Sequence, residues 1–455
     1  MGLATSRMSE ADLPPLVAPA VSTATLPRGR VFLLFIVMLV TAAGNTAMQS
    51  VMPSIGTALK VQDFWISLAY TWSALLWMIC APLWARRSDR RGRKAMMAVG
   101  LLGFISSFAL CGATLWFGLN GWLGPVATLL VFALFRSLYG GFGSAAPPAV
   151  QAYVASRTSR SERTQALSLI SSSFGLGTVL GPALAPFLIL PALGLVSPFV
   201  AFSLFAVGVL IALRLRLPDD APAYAARGDV MAAPFSANSD SRLGGTSDAD
   251  HPGDIEIPHL SWTDQRLRPW LVAGLLGGHA QAAIMGIVGF LVLDRLHLRS
   301  DPLAGAGPTG LVLMSGAIAT LLAQWGIIPR FHLGPRSCCL WGVVLAAMGT
   351  ALLAVAANLH SITIGVALAS LGFGLFRPGF TSGASLAVSR AEQGQSAGIV
   401  ASVNGAAYIV APAVGVWLYG HNPWVGFAAI ELLCLAVFVL ATRGMASDEA
   451  LTGQH

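Results

Sequence analysis

The chain has 455 residues, of which 55% are hydrophobic and only 10% charged, and its formal net charge is +7. Soluble domains usually carry about 25% charged residues, so this composition argues against a soluble enzyme of this size. Apolar segments long enough to cross about 30 Å of hydrocarbon recur along the chain. The sequence therefore predicts an all-α membrane protein that has the lipid bilayer, and no nucleic acid, as a partner.

Twelve apolar segments are predicted to be transmembrane helices, six on each side of a polar break. The first six lie near 29–54, 65–85, 94–116, 122–146, 165–190 and 196–213. The second six lie near 268–294, 306–328, 337–358, 361–384, 395–420 and 423–442. The chain is thus expected to fold as two pseudo-symmetric six-helix bundles, covering 28–216 and 266–443.

Three segments fall outside the bundles. Residues 1–27 are small, polar and rich in proline, and they are predicted to be a disordered cytoplasmic N-terminus. Residues 217–265 hold nine acidic residues against two arginines, and they are predicted to be a cytoplasmic linker rich in acids and proline. Residues 444–455 are predicted to be a cytoplasmic tail.

The basic residues predict the orientation. With an even number of spans both termini share one side, and 22 of the 27 Lys and Arg residues fall on that side. Three, Lys60, Arg295 and Arg299, fall on the other side, and Arg136 and Arg377 fall inside spans. Because cytoplasmic loops are enriched in Lys and Arg, both termini are expected in the cytoplasm and the protein in the cell (inner) membrane.

The second half of the chain repeats the first. At an offset of 230 residues, nine of the 36 positions between 148 and 183 are identical. The informative matches are Pro148/Pro378, Ser159/Ser389, Glu162/Glu392, Gly175/Gly405 and Pro182/Pro412. Both copies cross the membrane in the same direction, which predicts a parallel repeat about an axis along the membrane normal. Two such halves can rock about a central site, which is the geometry of alternating access.

The loop between spans 2 and 3 reads ARRSDRRGRK over 85–94. It resembles the G-x-L-[AS]-D-R-x-G-R-[RK] signature of the major facilitator superfamily, and it matches at Asp89, Arg90, Gly92, Arg93 and Lys94. Glycine permits a tight turn, and an aspartate at a helix N-terminus is stabilised by the helix dipole. The resemblance implies a conformational latch between the halves, whereas the residues alone also fit a positive anchor at the membrane surface. A degenerate copy between spans 8 and 9 has Phe331 in place of the aspartate.

Arg136 lies within span 4 in the sequence RSLYGGF, which is similar to the family's R-x-x-[QY]-G signature. A charged residue at this depth is costly and indicates a functional site. No acid in spans 1 to 6 can pair with it, so Asn45, Gln49 and backbone carbonyls are candidate partners. The resemblance implies proton handling or substrate contact, and the alternative is a structural hydrogen-bonding role.

Span 5 contains Gly177, Gly181 and Pro182 in the order GTVLGPALA. This stretch resembles the G-x-x-x-G-P-x-x-G signature of the exporter branch, the twelve-helix drug:proton antiporters of the tetracycline and multidrug type. Small residues four apart let helices approach closely, and proline frees backbone groups that neighbouring helices satisfy. The resemblance favours export, while ordinary helix packing would produce a similar pattern. Pro412 is the counterpart of Pro182 in the second half.

Polar side chains at helical spacing predict a central substrate cavity, because a polar stripe in hydrocarbon should face the bundle interior. The predicted cavity residues are Thr41, Asn45, Gln49, Gln281, Gln324, Asn404 and Tyr408. Two further residues are candidate proton carriers in addition to Arg136. Glu431 is the one acid near the middle of a span, and His279 has an unperturbed pKa near neutrality.

These features predict a secondary-active transporter that exports amphipathic small molecules in exchange for protons. The alternatives are an importer or facilitator of a polar metabolite on the same fold, and a non-transporting membrane receptor. No nucleophile–base set occurs, and the five cysteines lie in apolar segments without metal-ligand spacing. The chain is therefore expected to be no enzyme, to need no cofactor or metal, and to act as a monomer.

Overall fold

The computed structural model describes residues 27–155, 157, 160–218, 260–389 and 392–452. These residues are mainly helical, and the β-structure among them is one isolated bridge between Leu190 and Gly194. In hydrocarbon each backbone group needs a partner within the chain, which a helix provides locally. The all-α membrane fold predicted from composition is confirmed.

In the first half, the described residues form seven α-helices. Their bounds are α1 Arg28–Ala58, α2 Asp63–Arg91, α3 Arg93–Leu119, α4 Pro125–Gly141, α5 Ala146–Ala155, α6 Arg160–Leu184 and α7 Ser197–Arg216. A short 3-10 helix, Gly143–Ala145, joins α4 to α5, and the two form one pass that extends beyond the predicted end at 146. The proline pair Pro147 and Pro148 is tolerated there because it lies in the first turn of α5.

The second half contains the remaining helices of the described chain. Their bounds are α8 Arg268–Arg295, α9 Pro302–Leu321, α10 Ile328–Phe331, α11 Pro335–Val355, α12 Leu359–Leu386, α13 Gln393–His421, α14 Pro423–Arg443 and α15 Asp448–Thr452. A π-helical segment, Leu322–Ile327, joins α9 to α10 so that they form one pass. Eleven passes of the described chain meet the length and hydropathy of a membrane span. The end of α6 and the 3-10 helix Ala185–Leu188 that follows it form the shorter apolar stretch Gly175–Leu188.

The helix contacts follow the internal repeat. Within the halves α1 packs on α6 and α8 packs on α13, which are spans 1 and 5 and their counterparts 7 and 11. Between the halves α6 packs on α9 and α2 packs on α13, which are again counterparts. We call the side that carries the start of α1 and the end of α14 the termini face, and the opposite side the distal face.

The segments outside the bundles are only partly described. Most of the predicted N-terminus 1–27 and of the linker 217–265 lies outside the described residues. Leu260, within the range predicted as linker, is buried, so packing against the bundle begins before residue 266. The tail 444–455 contains the short helix α15, whose Leu451 is also buried. The end of the chain is therefore packed against the second half as far as this helix.

Candidate functional site

Arg136 is buried in the first half, with 2% of its surface exposed. Its Nη2 donates a short hydrogen bond to Oδ1 of Asn45 on α1, one of the partners predicted from sequence. The guanidinium carbon lies 4.4 Å from the ring centre of Tyr139 and 5.7 Å from that of Phe108. Aromatic faces attract cations, and these contacts offset part of the cost of burying the charge.

Two donors of Arg136 are left without partners. Its Nε and Nη1 are both buried and make no hydrogen bond. Among the described residues no carboxylate forms an ion pair with it. Buried polar groups are normally satisfied, so these unpaired donors make Arg136 the candidate site of the first half.

The other predicted cavity residues are half-buried, with the exception of Thr41, which is buried. The hydroxyl of Thr41 donates to backbone carbonyls of its own helix, at Val37 and Met38, 3.0 Å away in each case. Nδ2 of Asn404 donates to the Val400 carbonyl at 3.1 Å. These two side chains are therefore satisfied within their own helices. The remaining predicted cavity residues are Gln49, Gln281, Gln324 and Tyr408.

The two other candidate proton carriers lie in the second half. His279 on α8 is half-buried, and its Nδ1 lies 2.7 Å from the carbonyl of Leu275 one turn earlier. Glu431 on α14 is also half-buried, and its Oε1 is buried without a hydrogen-bond partner. Helix α14 packs mainly on α8, α11 and α13 of its own half. Glu431 is thus placed away from the helices that surround Arg136.

The span 5 glycines lie directly against α1. A Cβ added at Gly177 would lie 2.6 Å from Cβ of Ala42, and one added at Gly181 would lie 2.1 Å from Oγ1 of Thr46. The Thr46 hydroxyl donates to the Gly177 carbonyl at 3.2 Å. Glycine at these positions lets the two backbones approach closely.

The same helix also touches the other half of the molecule. The carbonyl oxygen of Pro182 lies 2.7 Å from the position a Cβ would take on Gly310 of α9. In the second half the carbonyl oxygen of Pro412 lies 2.9 Å from the corresponding position on Gly286 of α8. Because α6 contacts both α1 and α9, a movement of one half against the other changes the contacts of the predicted motif.

Arg299 joins the two halves on the distal face. Its Nη1 and Nη2 donate to the two carboxylate oxygens of Asp63 at 2.8 and 2.6 Å, and its Nε donates to Asp294 at 2.7 Å. The hydroxyl of Tyr419 donates to the other oxygen of Asp294 at 2.9 Å. The hydrogen bond to Asp63 raises the pKa of Arg299 further above its ordinary value, so the guanidinium stays charged.

This network was not predicted from the sequence. Arg299 was expected only to be one of the few basic residues on the distal face. The available signal was that Asp63 and Asp294 both lie at helix ends on the same face, where a neighbouring arginine can pair with them.

The loop predicted to be a latch is built differently from the expectation. Asp89 lies in the last turn of α2, so the residues up to Arg91, which were expected to form a loop, are helical. The helix continues to Arg91 because the break is made by Gly92, which adopts φ 87° before α3 begins at Arg93. Arg93 is half-buried. The side chains of Asp89 and Arg90 lie outside the described residues.

A second charged cluster lies on the termini face. Arg266 forms two hydrogen bonds with the carboxylate of Glu392, at 3.2 and 2.9 Å. The Ser389 hydroxyl and backbone N–H donate to the same carboxylate at 2.7 and 2.9 Å. These hydrogen bonds, Arg266 first, lower the pKa of Glu392 to about 2. The repeated Ser and Glu of the sequence thus form one local hydrogen-bonded unit in the second half.

Two like bundles of membrane-spanning helices that are related by a parallel repeat and joined by the Arg299–Asp63 ion pair on the distal face are typical of a membrane transporter. The chain belongs to the Major Facilitator Superfamily, whose family model matches residues 34–385.

The chain is similar to two proteins named for drug resistance. It is 26% identical over 382 residues to the class C tetracycline resistance protein of Escherichia coli, covering 80% of this chain and 83% of that protein. It is 30% identical over 157 residues to multidrug resistance protein 2 of Bacillus subtilis (strain 168), covering 34% of this chain and 36% of that protein.

A solved structure supports the fold. The crystal structure of a bacterial homolog to the human lysosomal transporter Spinster, in an inward-facing and occupied conformation, matches with a TM-score of 0.66 at 11% identity. The match covers 93% of this chain and 98% of that chain.

Proposed function

We propose that the protein exports amphipathic small molecules in exchange for protons, from a cytoplasm that contains both of its termini. The observation that carries this proposal is Arg136, a buried cation with two unused donors and a neutral amide as its hydrogen-bonding partner. Such a group can attract a polar or anionic part of a substrate, or respond to a proton on a neighbouring group, without first breaking an ion pair.

Two further features support export. The span 5 motif, which resembles that of exporters, contacts α1 beside Asn45 and α9 of the other half. The relatives named for tetracycline and multidrug resistance point to the same substrate class, which comes to this chain as part of the proposal. Proton exchange would use Arg136 together with His279 or Glu431. The half-buried amides would contact the substrate. The functional unit would be a monomer.

Everted membrane vesicles provide the test. An imposed proton gradient, acidic inside, is expected to drive uptake of fluorescent amphipathic compounds, and a protonophore is expected to abolish this uptake. The variants His279→Gln and Glu431→Gln, measured beside wild type, identify the proton carrier, because only its loss uncouples uptake from the gradient. Uptake that ignores the protonophore would rule out proton exchange, and uptake only in right-side-out vesicles would indicate import instead.

A further inference from the structure

The ion pairs of Arg299 are arranged unequally between the two halves. Asp294 belongs to the same half as Arg299 and is held in place by Tyr419. Asp63 belongs to the other half, and its carboxylate accepts hydrogen bonds from both terminal nitrogens of the guanidinium. If the halves separate on this face, Arg299 keeps Asp294 as a partner, and the pair with Asp63 is the one that breaks.

Small residues of the two halves are also in close contact at this end of the molecule. A Cβ on Gly289 of α8 would lie 2.3 Å from Cγ of Pro53 on α1, and a Cβ on Gly305 of α9 would lie 3.2 Å from Oγ of Ser54. Ser54 is fully buried, and its hydroxyl makes no hydrogen bond. The distal face is therefore closed by small residues as well as by the ion pair.

The energetic balance suits a contact that opens and closes. The side chains of Asp63 and Arg299 are 15% and 36% exposed, so both lie at the boundary between protein and water. A bidentate arginine–carboxylate pair in this environment is stronger than a surface pair, yet water can solvate Asp63 when it is released. The charge left behind on Arg299 stays compensated by Asp294.

We propose that Arg299 is the gate residue of the distal face: its bidentate pair with Asp63 holds the two halves closed there, and opening breaks this pair while Arg299 remains on Asp294. The proposal rests on the transporter fold alone. It holds for export and import, and with or without protons.

The first experiment measures opening directly. A cysteine placed at the buried position 54 (Ser54→Cys) is expected to react slowly with a membrane-impermeant maleimide applied to the distal face. Adding Asp63→Asn or Arg299→Gln is expected to raise the labelling rate about tenfold. The closed state then lacks the stabilisation of the ion pair, so the open state is populated more often. Arg295→Gln is the matched control, since Arg295 lies on the same face but donates to the Ala354 carbonyl. The protein without Ser54→Cys gives the background from its natural cysteines.

The second experiment does not depend on removing a charge. In the double variant Ser54→Cys/Gly305→Cys, Cβ of residue 305 would lie 3.2 Å from the side chain of residue 54, which permits a disulfide between the halves once the Leu293 side chain moves out of contact with residue 305. Oxidation is expected to stop transport and a reductant to restore it, while each single variant ignores the oxidant. Unchanged labelling in both Asp63→Asn and Arg299→Gln, or full transport by the cross-linked protein, would overturn the proposal. Because labelling needs no substrate, these results are independent of the proposed export of drugs.

Discussion

Gly181 of α6 lies against Thr46 of α1 so closely that a Cβ at position 181 would be 2.1 Å from the Thr46 hydroxyl oxygen. The Ala43 carbonyl oxygen would be 2.3 Å from the same Cβ, so backbone as well as side chain blocks any larger residue. The first half is thus held together at the glycine motif of span 5.

Replacement of Gly181 by alanine is expected to destabilise the protein by about 1–3 kcal/mol, because the α1 backbone must move to admit the methyl group. Gly208→Ala is the control, since nothing lies within 4 Å of a Cβ there. Thermal unfolding of the purified variants in detergent measures both effects. Equal melting temperatures for the two variants would contradict the contact.

Replacement of Arg136 by glutamine is expected to lower transport to about a tenth or less of wild type while the protein still inserts into the membrane. The neutral side chain removes the buried charge together with its unused donors, so stability need not fall with activity. Transport rate and melting temperature, measured on the same preparation, separate the two effects. Wild-type transport by Arg136→Gln would exclude a role in substrate or proton handling.

Asp89→Asn is expected to reduce transport without preventing insertion, because the variant keeps the size of the side chain and loses only the charge of the predicted latch. Transport assays with membrane-fraction immunoblots measure both properties. Asp301→Asn is a control at a different helix end, where the carboxylate accepts from the Ala304 backbone. Full activity of Asp89→Asn would leave the loop as a positive anchor at the membrane surface.

The stabilising effect of Glu392 is expected to depend on pH. Its pKa is lowered to about 2 in the folded protein, against about 4.3 for an unperturbed Glu, so its contribution is complete above the unfolded value and is lost as the pH falls through the folded one. The melting temperature of wild type should exceed that of Glu392→Gln by a constant amount from pH 7 to about pH 5. The difference should shrink towards pH 3, and a difference that grows on acidification would refute the ion pair.

The end of the chain is expected to stabilise the second half. The Asp448 carboxylate accepts from the backbone N–H groups of Arg336 and Ser337, at 2.7 and 3.1 Å, and from the Ser337 hydroxyl at 2.6 Å. It thus caps α11, beside the loop where Phe331 replaces the aspartate of the first half. Truncation after Ser447 is expected to cost about 1–3 kcal/mol, because half-buried donors at the helix N-terminus lose their acceptor.

A shorter truncation serves as the control for the tail. Removal of the residues after Thr452 leaves Asp448 and the buried Leu451 in place and is expected to change the melting temperature little. If both truncations behave alike, the cap at Asp448 has no measurable effect.

The sequence predicted the features that depend on local pattern. Hydropathy indicated the helices, and glycine spacing pointed to the contact of α6 with α1. The Arg299–Asp63 pair could not be predicted from the sequence, because the two residues lie 236 positions apart and meet only when the halves assemble. The Asp448 cap, with its 112-residue separation from Arg336, was missed for the same reason. Asp89 was expected in a loop, but it is helical because the break between α2 and α3 falls at Gly92.

The π-helical turn at Leu322–Ile327 changes how the pass that contains it can be mapped. A π turn accommodates an extra residue, so side chains beyond it are rotated by about 100° relative to an uninterrupted α-helix. A cysteine scan along this pass should therefore show two accessibility waves that are out of phase, with the break near Gln324. Helical-wheel projections drawn from residues before the turn would assign the wrong face to those after it.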